Sequence, residues 1–178
     1  MINENRTVAR LSELFALSLG ISSTKARQIR NVASLHDIGK QRIDKCILNK
    51  KGRLAPEEFE IIKTHTKIGA QMLSSIRGEF GTMARAVCLW HHEWFNGGGY
   101  MGIPTSKLPY YIPIISISDV FVACCSNRCY KKAWPPKQVL EYLQNQAGTQ
   151  FSYEIVKKFI SLIRESDDVA DIFVCIVN

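Results

Sequence analysis

Between Ile112 and Ala123 the chain is apolar apart from two serines and one charge, Asp119, in the middle of the run. The pattern predicts a long apolar helix from Pro113 to about Cys125. A carboxylate on such a helix is heading for the interior, where an unpaired charge is very costly. Asp119 must find a cation, a hydrogen-bond network or solvent. Any fold open to this chain has to supply one of them.

The chain holds only four histidines, His36, His65, His91 and His92. His36 is followed at once by Asp37, so one imidazole and one carboxylate are offered to the same point. Each of these residues also has a plain structural reading. Asp119 could cap or face solvent, His65 could be a lone helical histidine, and His91-His92 could be one core and one surface residue. Adjacent positions on a helix point about 100° apart. His91 and His92 can therefore share a centre only near a helix terminus. Taken together, the four histidines and two aspartates make a nitrogen and oxygen ligand set suited to iron, manganese or zinc rather than calcium or magnesium. Six ligands are more than one tetrahedral zinc uses, so the economical reading is two divalent metals sharing a carboxylate, about 3.5–4 Å apart.

The rest of the chain reads as helices separated by short breaks. Helices are expected from Thr7 to Leu19, closed by Gly20, and from Thr24 to Leu35, with Ser22 or Ser23 as cap. A basic connection from Gly39 to Gly52 includes a short Cys46-Ile47-Leu48 turn. Pro56 opens the next helix, which runs to His65 with Glu57 and Glu58 in its first turn. Further helices are expected over Thr66–Ser75, Gly81–Trp94, Pro136–Leu143 and Tyr153–Arg164. The glycine-rich stretch Asn96 to Gly102 and the prolines at 104, 109 and 113 interrupt the series. The expected fold is all-α, a single-domain bundle of about seven or eight helices spanning residues 1–165. The 166–178 tail, with its apolar run Ile172 to Val177, fits a helix end or a short strand.

Composition narrows the class of protein. Of 178 residues, 46% are hydrophobic and 22% charged, which suits a globular domain with a core and argues against disorder. The longest uncharged apolar stretch, Leu108 to Ser118, contains prolines and is far short of a bilayer span. The N-terminus lacks a basic region followed by an apolar run, so the expected compartment is the cytoplasm. None of the six cysteines forms a C-x-x-C pair. The net charge of +7 is scattered in ones and twos, without the patch that specific nucleic-acid binding needs.

Leu35-His36-Asp37-Ile38-Gly39-Lys40, Leu48 to Leu54, Glu57 to His65, His91-His92-Glu93 through Gly97, Gly99 and Tyr100, Asp119-Val120-Phe121 and Ala147 to Phe151 occur in order and at family spacing. In these blocks the sequence resembles the HD-GYP branch of the HD superfamily, bacterial phosphodiesterases that degrade cyclic di-GMP. The resemblance covers about Arg6 to Arg164. It implies an HD-superfamily helical bundle that hydrolyses cyclic di-GMP or a related cyclic dinucleotide by attack of a metal-bound hydroxide on phosphorus. It implies two divalent metals, iron or manganese before zinc. Asp37 would bridge them, and His36, His65, His91, His92 and Asp119 would complete the coordination. Glu4 falls near the family's metal-ligating histidine in the first helix. Lys40 would contact the substrate phosphate, while Gly99, Tyr100 and Arg128 would line the nucleotide site.

The sequence departs from the family pattern at Met101 in place of proline, Asn96 in place of aspartate and Val122 in place of aspartate. Asn127-Arg128-Cys129-Tyr130 replaces Asp-Arg-Pro-Tyr. These changes leave a second reading beside the enzyme: a catalytically weak or inactive signalling module that binds nucleotide or a diguanylate cyclase or sensor-domain partner. A homodimer fits either reading.

Overall fold

The computed structural model describes residues 2–127 and 132–165. Arg128 and the 166–178 tail lie outside the described residues. The helices are α1 (Ile2–Ser18), α2 (Ser23–Ala33), a single turn α3 (Lys45–Leu48), α4 (Pro56–Lys63), α5 (His65–Met72), α6 (Gly78–Trp90), α7 (Tyr111–Cys125), α8 (Pro136–Asn145) and α9 (Tyr153–Glu165). Two 3-10 turns occupy Ile38–Arg42 and Thr105–Lys107. The described residues form no sheet, only an isolated bridge between Ala147 and Phe151. The all-α expectation holds, with eight helices of eight residues or more among the described residues.

α7 explains the architecture. It is apolar nearly all the way round, so it must be surrounded. Ile112, Ile114, Ile115, Ile117, Phe121 and Val122 are all buried along it. It packs against α1, α2, α6, α8 and α9, and α1 also lies along α2. Phe159 of α9 sets its ring edge-on to both Phe15 of α1, at 5.0 Å, and Phe121 of α7, at 5.5 Å. Edge-to-face pairs of this kind add to the burial of the rings themselves. No described helix is long and apolar enough to cross a membrane.

Local chemistry sets the breaks. Gly20 takes φ 79° after α1, a left-handed conformation that favours glycine. Pro56 stands at the start of α4, where its missing N–H removes no bond. Glu58 accepts the Ala55 N–H at 2.7 Å and pairs with Lys50 at 2.6 Å, closing that helix start. Both contacts hold the Glu58 carboxyl below its ordinary value, the Lys50 hydrogen bond most.

Two boundaries differ most from expectation. α1 begins at Ile2 rather than Thr7. Its first turn has no apolar period to reveal it, but Glu4 suits a helix start and Asn5 donates to the Ser34 carbonyl at 3.4 Å. α6 ends at Trp90 rather than Trp94, with His91 as its C-cap. The Trp94 carbonyl instead accepts from Gly97 and Thr105, so the chain turns away into the loop.

Candidate metal centre

Helix ends deliver the candidate ligands. His36 and Asp37 follow α2 and precede the first 3-10 turn. His65 is the first residue of α5, and His91 and His92 stand at the C-terminus of α6. Asp119 projects from the middle of α7. Asp37, His65, His91 and His92 bring one ligand atom each to within 4.8 Å of one another. His36 joins them, its Nε2 lying 3.4 Å from Asp37 Oδ2 and 3.4 Å from Asp119 Oδ1.

The outward nitrogens of three rings are fixed by the backbone. His36 Nδ1 lies 2.8 Å from the Ala33 carbonyl, His65 Nδ1 2.7 Å from that of Ile62, and His91 Nδ1 2.9 Å from that of Val87. A carbonyl only accepts, so each Nδ1 carries the proton. In neutral His65 and His91 each Nε2 is then a bare lone pair. These two nitrogens face each other at 3.3 Å with no proton to share. Asp37 Oδ1 lies 3.3 Å from one and 3.7 Å from the other, and it is buried without a hydrogen-bond partner. Three lone-pair atoms around one point repel unless a cation sits among them. Backbone-anchored Nδ1 with free Nε2 is also how metal-ligating histidines are usually held. The donor set therefore fits a divalent cation.

The electrostatics agree. Burial disfavours the His36 cation, but the Asp37 and Asp119 carboxylates outweigh it and push the ring up to about 10. Burial likewise lowers His65, lowers His91 strongly, and takes His92 down to about 4. At neutral pH those three rings are neutral and able to ligate. Burial raises both aspartates, yet His36 reverses this for each of them, with Lys40 helping at Asp37, and both stay ionised.

Around this cluster the loops are held by close approaches. A Cβ on Gly39 would stand 2.0 Å from the His65 carbonyl oxygen, so only glycine lets the His36-Asp37 turn lie against α5. A Cβ on Gly99 would meet Glu93 Cα at 2.5 Å. The next residue, Tyr100, lays its ring 4.5 Å from that of His92. Burial pushes its hydroxyl up to about 12, so it stays protonated. Lys40 pairs with Asp37 Oδ2.

The sequence pattern assigns no role to Glu93, and the structure gives it one. It is 1% exposed, and its two carboxylate oxygens accept the Met101 N–H at 2.7 Å and the Ile103 N–H at 2.8 Å. The glycine-rich loop is thereby tied to the segment that carries His91 and His92. A glutamate directly after two histidines gave no signal of such a task. Met101 matters through its N–H, which the proline of the family signature could not supply. Glu4 lies in the first turn of α1 and is not among the four residues that converge within 4.8 Å.

Comparison with known proteins identifies the family. The sequence model of the HD domain matches residues 1–155. The chain is 37% identical over 163 residues to a cyclic di-GMP phosphodiesterase of Thermotoga maritima, covering 91% of this chain and 44% of that protein. It is 36% identical over 145 residues to the cyclic di-GMP phosphodiesterase response regulator RpfG of Xanthomonas campestris, covering 81% and 38%. The chain thus spans less than half the length of these curated relatives. Among solved structures, Bd1817, an HDG"Y"P protein from Bdellovibrio bacteriovorus, superposes with a TM-score of 0.74 at 18% identity, over 92% of this chain and 53% of that one. At that identity the likeness speaks for the fold alone. The match over residues 1–155, carried on a helical frame that gathers histidines and aspartates at one point, places the chain in the HD domain family.

Proposed function

We propose that residues 1–165 form a metal-dependent phosphodiesterase domain acting on cyclic di-GMP or a related cyclic dinucleotide. The observation that carries this reading is the buried, unpartnered Asp37 Oδ1 facing the lone pairs of His65 and His91. His36, Asp37, His65, His91, His92 and Asp119 would hold two divalent metals, iron or manganese before zinc, with Glu4 a further ligand from α1. Such ions supply Lewis acidity and a nucleophile from water at neutral pH.

The protein's own groups do the rest. Backbone carbonyls fix three imidazole rings, so the ligand nitrogens do not have to reorganise during reaction. Lys40 stands at Asp37 Oδ2, where its ammonium can neutralise a phosphate oxygen as a point charge. Tyr100, held through Gly99 and the Glu93 clamp, walls one side of the centre. The relatives named as cyclic di-GMP phosphodiesterases support the substrate class.

A second reading, nucleotide binding with little turnover, draws on Val122. Its side chain is 1% exposed in the core, so this turn of α7 brings no carboxylate where the family pattern has one. One experiment separates the two. The protein is purified anaerobically, loaded with iron or manganese, and followed for linearisation of cyclic di-GMP. Turnover that Asp37→Ala abolishes supports the enzyme. Tight nucleotide binding with no turnover under any metal supports the binding module.

A further inference from the structure

Next to the metal centre, α4 presents three side chains that chemistry at phosphorus does not use. Phe59 is 42% exposed, and its ring stands perpendicular to that of Tyr100 with centroids 6.1 Å apart. Lys63 is one turn further along. Its ammonium lies 5.0 Å from the Phe59 centroid and 5.6 Å from that of Tyr100. It is also ion-paired with Glu60 at 2.6 Å. Tyr100 in turn lies against His92. Aromatic rings thus follow one another outward from the candidate ligands, Tyr100 and then Phe59 at a right angle to it, and the Lys63 ammonium lies over both with Glu60 beside it. A single exposed phenylalanine is ordinary. Here, however, α4 has no buried residue, so core packing does not account for the ring's position beside Tyr100.

We propose that Phe59 and Tyr100 form an aromatic corner that takes one purine base of the substrate, its face against one ring and its edge against the other, and that the Lys63–Glu60 pair beside them selects guanine over adenine. The inference rests on the proposal that this centre receives a cyclic dinucleotide. Aromatic faces accept any base by stacking. The Lys63–Glu60 pair supplies the choice. Lys63 can only donate, and guanine presents O6 and N7 as acceptors. The Glu60 carboxylate can only accept, and guanine offers N1–H and the 2-amino group beside O6. Adenine reverses this order, placing its 6-amino donor where guanine has O6. The ammonium would then face a donor, which penalises adenine as well as favouring guanine. Glu60 is exposed and Lys63 partly so, which keeps the discrimination moderate.

The test is calorimetric binding to the metal-loaded full chain, with cyclic di-GMP, cyclic di-AMP and inorganic phosphate as probes. Phe59→Ala is expected to weaken cyclic di-GMP by about tenfold and to leave inorganic phosphate unchanged, because phosphate carries no base. Phe59→Leu keeps the apolar bulk and is expected to weaken cyclic di-GMP similarly. Lys63→Gln is expected to shrink the preference for cyclic di-GMP over cyclic di-AMP by about tenfold. The proposal is overturned if wild type binds both dinucleotides equally, or binds phosphate but neither dinucleotide. It is also overturned if the Phe59 variants leave cyclic di-GMP unchanged or weaken phosphate to the same extent, or if Lys63→Gln leaves the preference intact. These readouts are independent of turnover. A chain that binds as expected but cleaves nothing refutes the phosphodiesterase reading and keeps the aromatic corner. Full cleavage with unaltered affinity in Phe59→Ala does the reverse.

Discussion

At the scale of single residues the centre is defined by protons. His36 donates through Nδ1 to Ala33 and, in the metal-free protein, keeps a second proton at Nε2 between Asp37 and Asp119. Those carboxylates push its pKa up to about 10 despite burial, so this proton is still present at neutral pH. A metal at Nε2 must displace it. Metal affinity should therefore rise with pH through the neutral range and fall as pH drops. Calorimetry at pH 7 in buffers of different ionisation enthalpy should show about one proton released per chain from this ring. No dependence on buffer would remove His36 from the ligand set. A second residue-scale prediction concerns Met101, whose N–H meets the buried Glu93 carboxylate. Met101→Pro restores the family signature but deletes that donor, and leaving a buried charged acceptor short of a bond costs about 1–3 kcal/mol. Thermal unfolding should show a lower Tm; an equal or higher Tm would show that the Glu93 clamp contributes little.

At the scale of elements, the site exists because the ends of α2, α5 and α6 meet the middle of α7. The contact between the His36-Asp37 turn and α5 has no room for a side chain at Gly39. Gly39→Ala should force the two apart, costing about 1–3 kcal/mol and lowering metal content together with Tm. Unchanged metal content by elemental analysis would contradict this coupling. Much of the frame was legible in the sequence. Apolar periodicity marked the helices, and prolines and Gly20 marked their breaks. The scarcity of histidines made His36, His65, His91 and His92 stand out, and Asp119 was conspicuous because it broke an apolar run. What stayed hidden depends on contacts across the chain. The early start of α1 rests on Asn5 reaching Ser34, and the early end of α6 on Trp94 turning toward Gly97 and Thr105. The clamp by Glu93 and the approach of Phe59 to Tyr100 likewise pair residues whose spacing has no local period.

At the scale of the whole molecule, one apolar core carries the polar centre. Phe15, Phe121 and Phe159 interlock α1, α7 and α9 on residues that do not ligate. Phe159→Ala should lower stability by about 3–5 kcal/mol through the cavity it leaves, measured by denaturant unfolding; a loss under about 1 kcal/mol would show that the three rings do not lock the bundle. The same burial that makes α7 central confines Asp119 to an environment where it needs a cation, which joins fold to site. The central claim is that Asp37 and the converging imidazoles hold two divalent metals. It is tested most directly by anomalous diffraction from crystals of the iron- or manganese-loaded protein. The account predicts two peaks sharing Asp37, one of them in contact with Nε2 of both His65 and His91. No peak beside Asp37, or metal bound only elsewhere, would contradict it.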